Sequence, residues 1–287
     1  MTPFTHLHVH TEYSLLDGSA RIPALVARCK AAGMDALAIT DHGVMYGAVD
    51  FYKAAVAEGI RPIIGCEVYM AARRMTDMES TDRESAHLVL LAEDQTGYRN
   101  LVKLVSMGFT QGFYYKPRID YDTLARHARG LICLSACLAG DIPRLLSEGR
   151  YDSARELALR LSAMFGPERF YLEMQDHGIP EQRQMNAELK RLSDETGIPL
   201  VATNDVHYVE RDDSEAHDVL LCIQTGKTVD DTDRLRFETR EFYLKTPEEM
   251  ETLFSWCPEA LENTSRVAQR CKVDFDFSKT HLPAFQL

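Results

Sequence analysis

The sequence predicts an α/β fold: a distorted (β/α)7 barrel of the TIM type, one strand short of eight, with a mostly helical C-terminal appendage. Two observations predict it. Short apolar runs recur through the first 210 residues, and such runs are typical of strands buried on both faces. Segments with apolar residues at helical spacing separate them, and this alternation favours a parallel sheet with right-handed crossovers that closes into a barrel.

Seven brief apolar segments are predicted as the strands. They are "FTHLHVH" (4–10), "ALAITDH" (36–42), "PIIGCEVYM" (62–70), "AHLVLLAE" (86–93), "GLICLSA" (130–136), "RFYLEMQ" (169–175) and "IPLVATNDVHY" (198–208). Between them, apolar residues at i, i+3, i+4 and i+7 predict helices that include Ile22, Tyr98, Leu157 and Met185. The helix that includes Ile22 should end at Gly33, because glycine commonly follows the last helical turn.

The barrel is expected to span residues 1–210 and the appendage residues 211–287. Three appendage segments have helical patterns, "DSEAHDVLLCIQTG", "TPEEMETLFSW" and "CPEALENTSRVAQRC", and "REFYLKT" is predicted as a short strand. The final "HLPAFQL" contains proline and reads as extended chain. We expect it to lead onward into a longer protein.

Composition narrows the class of protein. The 287 residues are 45% hydrophobic and 26% charged, as in ordinary globular proteins. The sequence lacks both a run of about 18 apolar residues and a secretory signal pattern, so we expect a cytoplasmic protein with no membrane partner. Seven cysteines at scattered spacings argue against a disulfide framework. The net charge of −12 argues against tight non-specific binding of duplex DNA, although bound cations would invert the field locally.

Active sites of such barrels lie at the C-terminal ends of the strands, and side chains that can bind metals recur there, with His87 at the start of the fourth predicted strand. Residues i and i+2 of a strand share a face. Two pairs are therefore predicted to bind one ion together: His8 with His10, and Asp205 with His207. Imidazole, carboxylate and thiolate are ligands of zinc and similar ions. The predicted metal ligands are His8, His10, Asp17, His42, Glu67, His87, Cys137, Asp205 and His207. This set exceeds what one tetrahedral ion needs, and two or three ions that share carboxylates would use it.

Roles within this set and around it differ. Glu67, Asp17 and Asp205 are the candidates for bridging ions or activating water, and two-metal sites of that kind serve displacement at phosphorus. Asp41 precedes His42 and is predicted to orient a ligand from behind, whereas His6 lies deeper in its strand, as support or core. A lone histidine or cysteine is more often a packing residue, so the prediction depends on the joint pattern. His127, His177, His217 and His281 are interpreted as structural residues away from the strand ends.

The segment "GFYYKPRID" (112–120) offers candidate contacts for substrate phosphate. Lys116 and Arg118 stand among aromatic residues, and cations with interleaved rings can hold a single nucleic-acid strand. The alternative is a solvated turn around Pro117 with its rings packed on the barrel. Arg73 and Arg74 are a weaker second candidate.

Together these segments resemble the PHP (polymerase and histidinol phosphatase) superfamily. More narrowly, they are similar to PHP domains at the N-terminus of alpha subunits of bacterial DNA polymerase III, the C-family replicative polymerase. The carrying stretches include "FTHLHVHTEYSLLDG", "GMDALAITDHGVMYGAVDFYKAA", "GIRPIIGCEVY" and "GIPLVATNDVHYV". The blocks "TGYRNLVKLVS" and "DSEAHDVLLCIQTG" favour the polymerase branch over the phosphatase branch. The resemblance implies a seven-stranded barrel with a trinuclear metal centre, and all nine ligand positions of the family pattern are retained.

The resemblance also implies a function. It indicates a metal-dependent phosphoesterase with 3′–5′ exonuclease (proofreading) activity, inside a nucleotidyltransferase whose other domains carry out DNA-directed DNA synthesis in replication. Two alternatives stay open: a non-catalytic, metal-stabilised scaffold that braces the polymerase, and a stand-alone phosphatase of small phosphoesters. Two to three divalent ions are expected, with Zn²⁺ favoured and Mn²⁺, Mg²⁺ or Fe²⁺ as alternatives. The implied partners are a DNA 3′ end (single-stranded or a primer terminus), the remaining alpha-subunit domains and other replisome subunits, a separate exonuclease among them.

Overall fold

The computed structural model describes residues 3–279 and residue 282. Its strands are β1 (Ala36–Ile39), β2 (Arg61–Ala71), β3 (Ser85–Ala92), β4 (Phe113–Tyr114), β5 (Lys116–Ile119), β6 (Leu131–Leu134), β7 (Phe170–Met174) and β8 (Leu200–Ala202). Its helices are α1 (Ile22–Ala31), α2 (Ala48–Ala57), α3 (Gln95–Thr110), α4 (Tyr121–His127), α5 (Asp141–Ser147), α6 (Tyr151–Phe165), α7 (Pro180–Thr196), α8 (Ser214–Thr225), α9 (Pro247–Leu253) and α10 (Pro258–Arg270).

The main sheet has the predicted strand order, but it is mixed and not parallel throughout. β1 pairs with β2, β6 with β7, and β7 with β8 in parallel, whereas β3 runs antiparallel to both β2 and β6. The prediction of an all-parallel sheet was therefore wrong at β3. The reason lies in residues 72–84, which return the chain without an α-helix, and a parallel connection requires a long crossover.

The first predicted strand, residues 4–10, is extended but forms no regular ladder. The amide of Ala38 donates to the carbonyl of His6 at 3.0 Å on one side. On the other side, the amide of Val206 donates to the carbonyl of His8 at 3.1 Å and the amide of His10 donates to the carbonyl of Val206 at 2.7 Å. The segment thus lies between β1 and the chain beyond β8. Within the described residues it closes a ring of seven extended segments, as the predicted barrel requires.

The predicted last strand, 198–208, is regular only over β8. Asp205 adopts a φ of 43°, a left-handed conformation that interrupts an extended strand. Only a single bridge, from Val9 to Val206, joins this stretch to the first segment. The prediction that Asp205 and His207 share one face of a regular strand was therefore wrong. Both side chains nevertheless lie beside His10, at one end of the barrel.

The predicted amphipathic helices are present and pack their apolar faces on the barrel. In α1, Ile22, Leu25, Val26 and Cys29 are all buried, and the chain leaves the helix at Gly33 with a φ of 74°. A positive φ of this size favours glycine, because it lacks a Cβ.

The residues after 210 contain the helices α8, α9 and α10, and α10 packs against the barrel. The amide side chain of Asn263 donates to the carbonyl of Leu200 at 2.7 Å, and the amide of Thr5 donates to the hydroxyl of Thr264 at 3.0 Å. The predicted strand "REFYLKT" was wrong: among the described residues it forms only a bridge between Tyr208 and Tyr243. No described helix has the length and apolar character needed to cross a membrane.

Candidate metal centre

The nine predicted ligands converge on one mouth of the barrel. His42 follows β1, and it is bridged to Glu67 within β2. His87 stands near the start of β3, and it reaches the same mouth because β3 is antiparallel and begins where its neighbours end. The strand reversal therefore brings a strand-start residue to the end of the barrel where the other ligands lie.

The carboxylate of Glu67 lies at the centre of this cluster and is buried. Its Oε1 is 2.9 Å from Nδ1 of His87 and 3.4 Å from Nε2 of His8. Its Oε2 is 2.6 Å from Nδ1 of His42 and 3.6 Å from Nε2 of His10. Both carboxylate oxygens thus face different pairs of imidazoles, which is the arrangement expected of a bridging carboxylate.

Two further carboxylates enclose the imidazoles. Oδ1 of Asp205 is 3.2 Å from Nε2 of His8 and 3.2 Å from Nε2 of His10. Oδ1 of Asp17 is 3.3 Å from Nε2 of His42, and its Oδ2 is 3.9 Å from Nε2 of His207. His8 and His10 thus lie beside Asp205 and His42 lies beside Asp17, while His207 is within 4 Å of both aspartates.

Cys137 occupies the edge of the cluster. Its thiol sulfur is 3.9 Å from Nδ1 of His87, and the side chain is partly exposed. Ligand atoms within 4.8 Å of one another form three groups: His8 with His10 and Glu67, His10 with His42 and His207, and His42 with Glu67 and His87. The described residues therefore offer overlapping sets of donors, as several neighbouring ions would need.

Several buried polar atoms at the mouth have no hydrogen-bond partner among the described residues, as expected of atoms that bind cations. Oε2 of Glu67, Oδ1 of Asp205, Oδ1 of Asp17 and Nδ1 of His42 are buried, and no hydrogen bond of the described structure satisfies them. Buried polar atoms are nearly always paired, and burying a carboxylate without a partner is costly. These atoms approach one another without hydrogen-bond geometry, so the donor set fits divalent ions.

The charges of the cluster favour bound positive charge. Burial opposes a positive charge on His8, but the carboxylates of Asp205, Glu173 and Glu67 raise its pKa well above the usual value. Burial likewise opposes protonation of His42, yet Asp17 and Glu67 raise its pKa to about 10. The mouth therefore attracts cations strongly, and metal ions would compete with protons for these nitrogens.

His10 shows how the surroundings prepare a ligand. The hydroxyl of Ser14 donates its one proton to Asp41 at 2.7 Å and lies 3.1 Å from Nδ1 of His10. Nδ1 of His10 must then carry a proton and donate a hydrogen bond to Ser14. Nε2 is therefore unprotonated, and its lone pair faces the cluster, where it could bind a metal. Burial, together with the neighbouring His42 and His207, lowers the pKa of His10 to about 3, so the ring stays neutral. Asp41 thus contacts His10 through Ser14, and its role in orienting a ligand stays a prediction.

Comparison with known proteins decides the family. The chain matches the family model described as "PHP domain" over residues 6–177. The chain belongs to the PHP family.

The curated relatives of this PHP chain are much longer proteins. It is 50% identical over 286 residues to the DNA polymerase III subunit alpha of Treponema pallidum, covering 99% of this chain and 24% of that protein. It is 46% identical over 295 residues to the DNA polymerase III subunit alpha of Thermus aquaticus, with shares of 99% and 24%. The chain therefore spans about a quarter of the length of these relatives.

Solved structures similar to the PHP chain are distant. One is an amidohydrolase from Chromobacterium violaceum with bound sulfate and no metal, at a TM-score of 0.42 and 16% identity, covering 71% of this chain and 87% of that one. Another is a two-domain protein from Bacteroides vulgatus described as containing a predicted PHP-like metal-dependent phosphoesterase, at a TM-score of 0.41 and 15% identity, covering 92% and 63%. Likeness at this level transfers neither ligand nor reaction.

Behind the PHP mouth, Glu173 is a candidate supporting residue that the sequence did not predict. Its Oε1 lies 2.7 Å from Nδ1 of His8 and also accepts from the hydroxyl of Thr203. A carboxylate behind a metal-binding imidazole fixes the ring and its tautomer. The available signal was an acid inside the otherwise apolar strand "FYLEM".

His6, which was predicted as support or core, lies apart from the PHP cluster. Its Nε2 is 2.9 Å from the carbonyl of Lys245, so it ties the first segment to the residues beyond 210. His217, interpreted as lying away from the strand ends, is nearer: its Nε2 is 2.7 Å from the carbonyl of Asp17, so it supports the loop that carries this ligand. His281 lies outside the described residues.

The two predicted phosphate contacts have different fates. Lys116 lies at the rim of the PHP mouth, with its ammonium 5.2 Å from the ring centre of Tyr69. Arg118 is 0% exposed, and its guanidinium donates to the carbonyls of Gly112, Asp82, Met75 and Asp77. The prediction that Arg118 contacts substrate phosphate was therefore wrong. Its side chain is buried, and its N–H groups already donate to these main-chain carbonyls.

Proposed function

We propose that this chain is the PHP domain of a bacterial DNA polymerase III alpha subunit and a metal-dependent 3′–5′ exonuclease. The observation that carries the proposal is the convergence of the nine predicted ligand side chains around buried carboxylate oxygens that accept no hydrogen bond from the described residues. Similarity to DNA polymerase III alpha subunits along 99% of the chain supports the polymerase context. In this proposal residues 1–210 form the metal-binding barrel, and residues 211–287 lead toward the polymerase domains.

The nine ligands would hold two to three divalent ions, and Zn²⁺ is favoured because imidazoles and one thiolate dominate the set. Mn²⁺, Mg²⁺ and Fe²⁺ are the alternatives that three carboxylates accommodate. Such ions supply an activated water and a charge clamp for displacement at a phosphodiester. Each of three carboxylates, those of Glu67, Asp17 and Asp205, faces at least two histidines. They are therefore the candidates for bridging two ions and for directing the activated water.

The chain's own residues prepare the site for an anionic substrate. Glu173 holds the ring of His8, and Ser14 with Asp41 holds the ring of His10, so both Nε2 atoms are fixed toward the mouth. Lys116 at the rim would meet a substrate phosphate before it enters. Charge at the rim and fixed ligands inside together suit a phosphodiester at a DNA 3′ end, single-stranded or at a primer terminus.

The implied partners follow from the same proposal. The remaining domains of the alpha subunit would supply DNA-directed DNA synthesis, and the exonuclease would remove misincorporated nucleotides from the primer. Other replisome subunits, including a separate exonuclease, would contact the assembled polymerase. A scaffold without catalysis and a phosphatase of small esters are the two alternatives that the following experiment separates.

The test compares two substrates on one protein. Purified protein is supplied with Mn²⁺ or Zn²⁺ and given a 3′-labelled primer and, in parallel, p-nitrophenyl phosphate, with metal content measured on the same samples. The double substitution His8→Ala/His10→Ala should abolish both metal and nucleotide release. His127→Ala is the matched control, because His127 lies on α4 and is hydrogen-bonded to the carbonyl of Thr123.

The outcomes are distinct. Nucleotide release that the double variant loses and the control keeps supports the exonuclease. Hydrolysis of the small ester alone favours the phosphatase, and full metal occupancy without any hydrolysis favours the scaffold. Unchanged metal content in His8→Ala/His10→Ala would show that the ligand assignment is wrong.

A further inference from the structure

The outer face of α3 has a charge that contrasts with the rest of the chain. Residues 95–119 contain Arg99, Lys103, Lys116 and Arg118 and no aspartate or glutamate, although the whole chain carries a net charge of −12. Arg99 and Lys103 are one turn apart and both exposed, so they share one side of the helix. Within the described part of the chain, neither forms an ion pair with a carboxylate. These two cations are therefore free to meet an anion.

Three exposed aromatic rings cluster at the C-terminal end of α3, beyond these cations. Phe109, at the end of α3, is 37% exposed, Phe113 is 51% exposed and Tyr46 is 59% exposed. The rings of Phe109 and Phe113 are 6.1 Å apart and nearly parallel at 25°, and Tyr46 lies 6.4 Å from Phe109. A contiguous exposed apolar surface of this kind marks an interaction site more often than chance.

The course of the chain leads this face to the metal centre. β3 starts at the mouth with His87 and runs away from it, so α3, which follows, returns toward the mouth. Tyr46 belongs to the loop that directly follows His42. At the rim, Tyr69 lies 5.2 Å from the ring of His87 and 6.1 Å from the ring of His42, and Lys116 stands over it. The cations therefore lie farthest from the mouth, and the rings lie nearest to it.

We propose that Arg99, Lys103, Phe109, Phe113 and Tyr46 form a platform for single-stranded nucleic acid, here called the α3 platform. Cations bind backbone phosphates whatever the base sequence, and exposed rings stack with any base. A strand lying along α3 would place its phosphates beside the cations and its bases on the rings, and one of its ends would lie near the mouth. That the strand is cut on arrival rests on the proposed function, whereas binding to the platform does not.

Binding can be measured without hydrolysis. The probe is a fluorescein-labelled dT12 oligonucleotide, titrated with the protein in EDTA at low salt and followed by fluorescence anisotropy. Phe109→Ala/Phe113→Ala should weaken binding about fivefold or more, because bases can no longer stack on these rings. Lys103→Glu should weaken binding and reduce the slope of log affinity against log salt by about 0.7 for each phosphate that the protein no longer neutralises.

Matched controls lie elsewhere on the molecule. Trp256 is 50% exposed beyond α9, and Arg155 is an exposed cation on α6, so Trp256→Ala and Arg155→Glu remove an equivalent ring and charge. Both controls should bind dT12 as the unsubstituted protein does. Circular dichroism and thermal melting of every variant separate a defect in binding from a defect in folding.

The platform and the proposed exonuclease fail in different ways. Absence of dT12 binding by the unsubstituted protein, affinities within twofold in the platform variants, or an equal loss in the controls would overturn the platform. His8→Ala/His10→Ala should still bind dT12, because the platform does not include these histidines. Platform-dependent binding without any nucleotide release from a primer would support the platform and contradict the exonuclease.

Discussion

Removing the carboxylate behind His8 should weaken metal binding without unfolding the barrel. Glu173 is 2% exposed, and its Oε1 meets Nδ1 of His8 at 2.7 Å and Nε2 of Gln175 at 3.1 Å. In Glu173→Ala the ring of His8 loses the acceptor that keeps its proton on Nδ1, so Nε2 is free as a ligand only part of the time. Losing such a partner typically costs 10- to 100-fold in metal affinity, which is about 1.4–2.7 kcal/mol.

Competition titration with a chromophoric zinc chelator measures this loss directly. Glu173→Gln keeps an oxygen acceptor, so it should lose less affinity than Glu173→Ala. Glu181→Ala removes an exposed carboxylate at the start of α7 and should bind metal normally. Equal metal affinity in Glu173→Ala and Glu181→Ala, with both variants folded, would refute the reasoning that the carboxylate prepares His8 as a ligand.

Three further predictions concern stability, each followed by urea unfolding. Arg118→Met should destabilise the protein by about 3 kcal/mol, because four main-chain carbonyls lose a buried charged donor, and Lys116→Met next to it should cost under 1 kcal/mol. Burial raises the pKa of Glu93, but hydrogen bonds from two arginines lower it below the usual value. The carboxylate of Glu93 therefore stabilises the fold above a pH of about 4.3, its pKa in the unfolded chain. This stabilisation is lost as the pH falls through the lower pKa of the folded state. Glu93→Gln should therefore make the urea midpoint less sensitive to acid, and an unchanged dependence of the midpoint on pH would contradict this. A Cβ at Gly97 would lie 1.7 Å from the carbonyl oxygen of Gly130, so Gly97→Ala should destabilise by about 2 kcal/mol or more, whereas Ser106→Ala on the same helix should not.

That these nine side chains lie together could be anticipated from residue type and spacing, whereas their binding of metal stays a prediction. The spacing of His8 and His10 places both rings on one side of an extended segment, whereas Asp205 and His207 reach the same cluster although Asp205 interrupts its strand. The direction of β3 was not predictable from its own residues, since it depends on how residues 72–84 return the chain. The position of His87 beside Glu67 was therefore right for a reason that the sequence alone did not contain.

Residues whose role is set by distant partners were harder. Arg118 stands in a basic and aromatic segment that resembles a strand-binding loop, yet its acceptors come from residues 75–82 and 112. No local pattern indicates which carbonyls will surround a guanidinium. Glu173 left a weak signal, an acid in a buried strand, and a buried acid requires a partner, so the sequence indicated that it was paired but not with which residue.

The way the barrel closes has a consequence for its folding. Residues 4–10 and 205–207 are separated by almost the entire barrel sequence, and they are joined by a single bridge and a few hydrogen bonds. Bringing such distant parts of a chain together carries an entropic cost, and this junction holds four of the nine predicted ligands. If the mouth binds ions as proposed, bound metal stabilises the closed ring, and opening of the ring weakens metal binding. Amide hydrogen exchange at Val206 and His10 should then slow as metal is added, whereas exchange in α6, which packs on β6 and β7 away from this junction, should respond only through global stability.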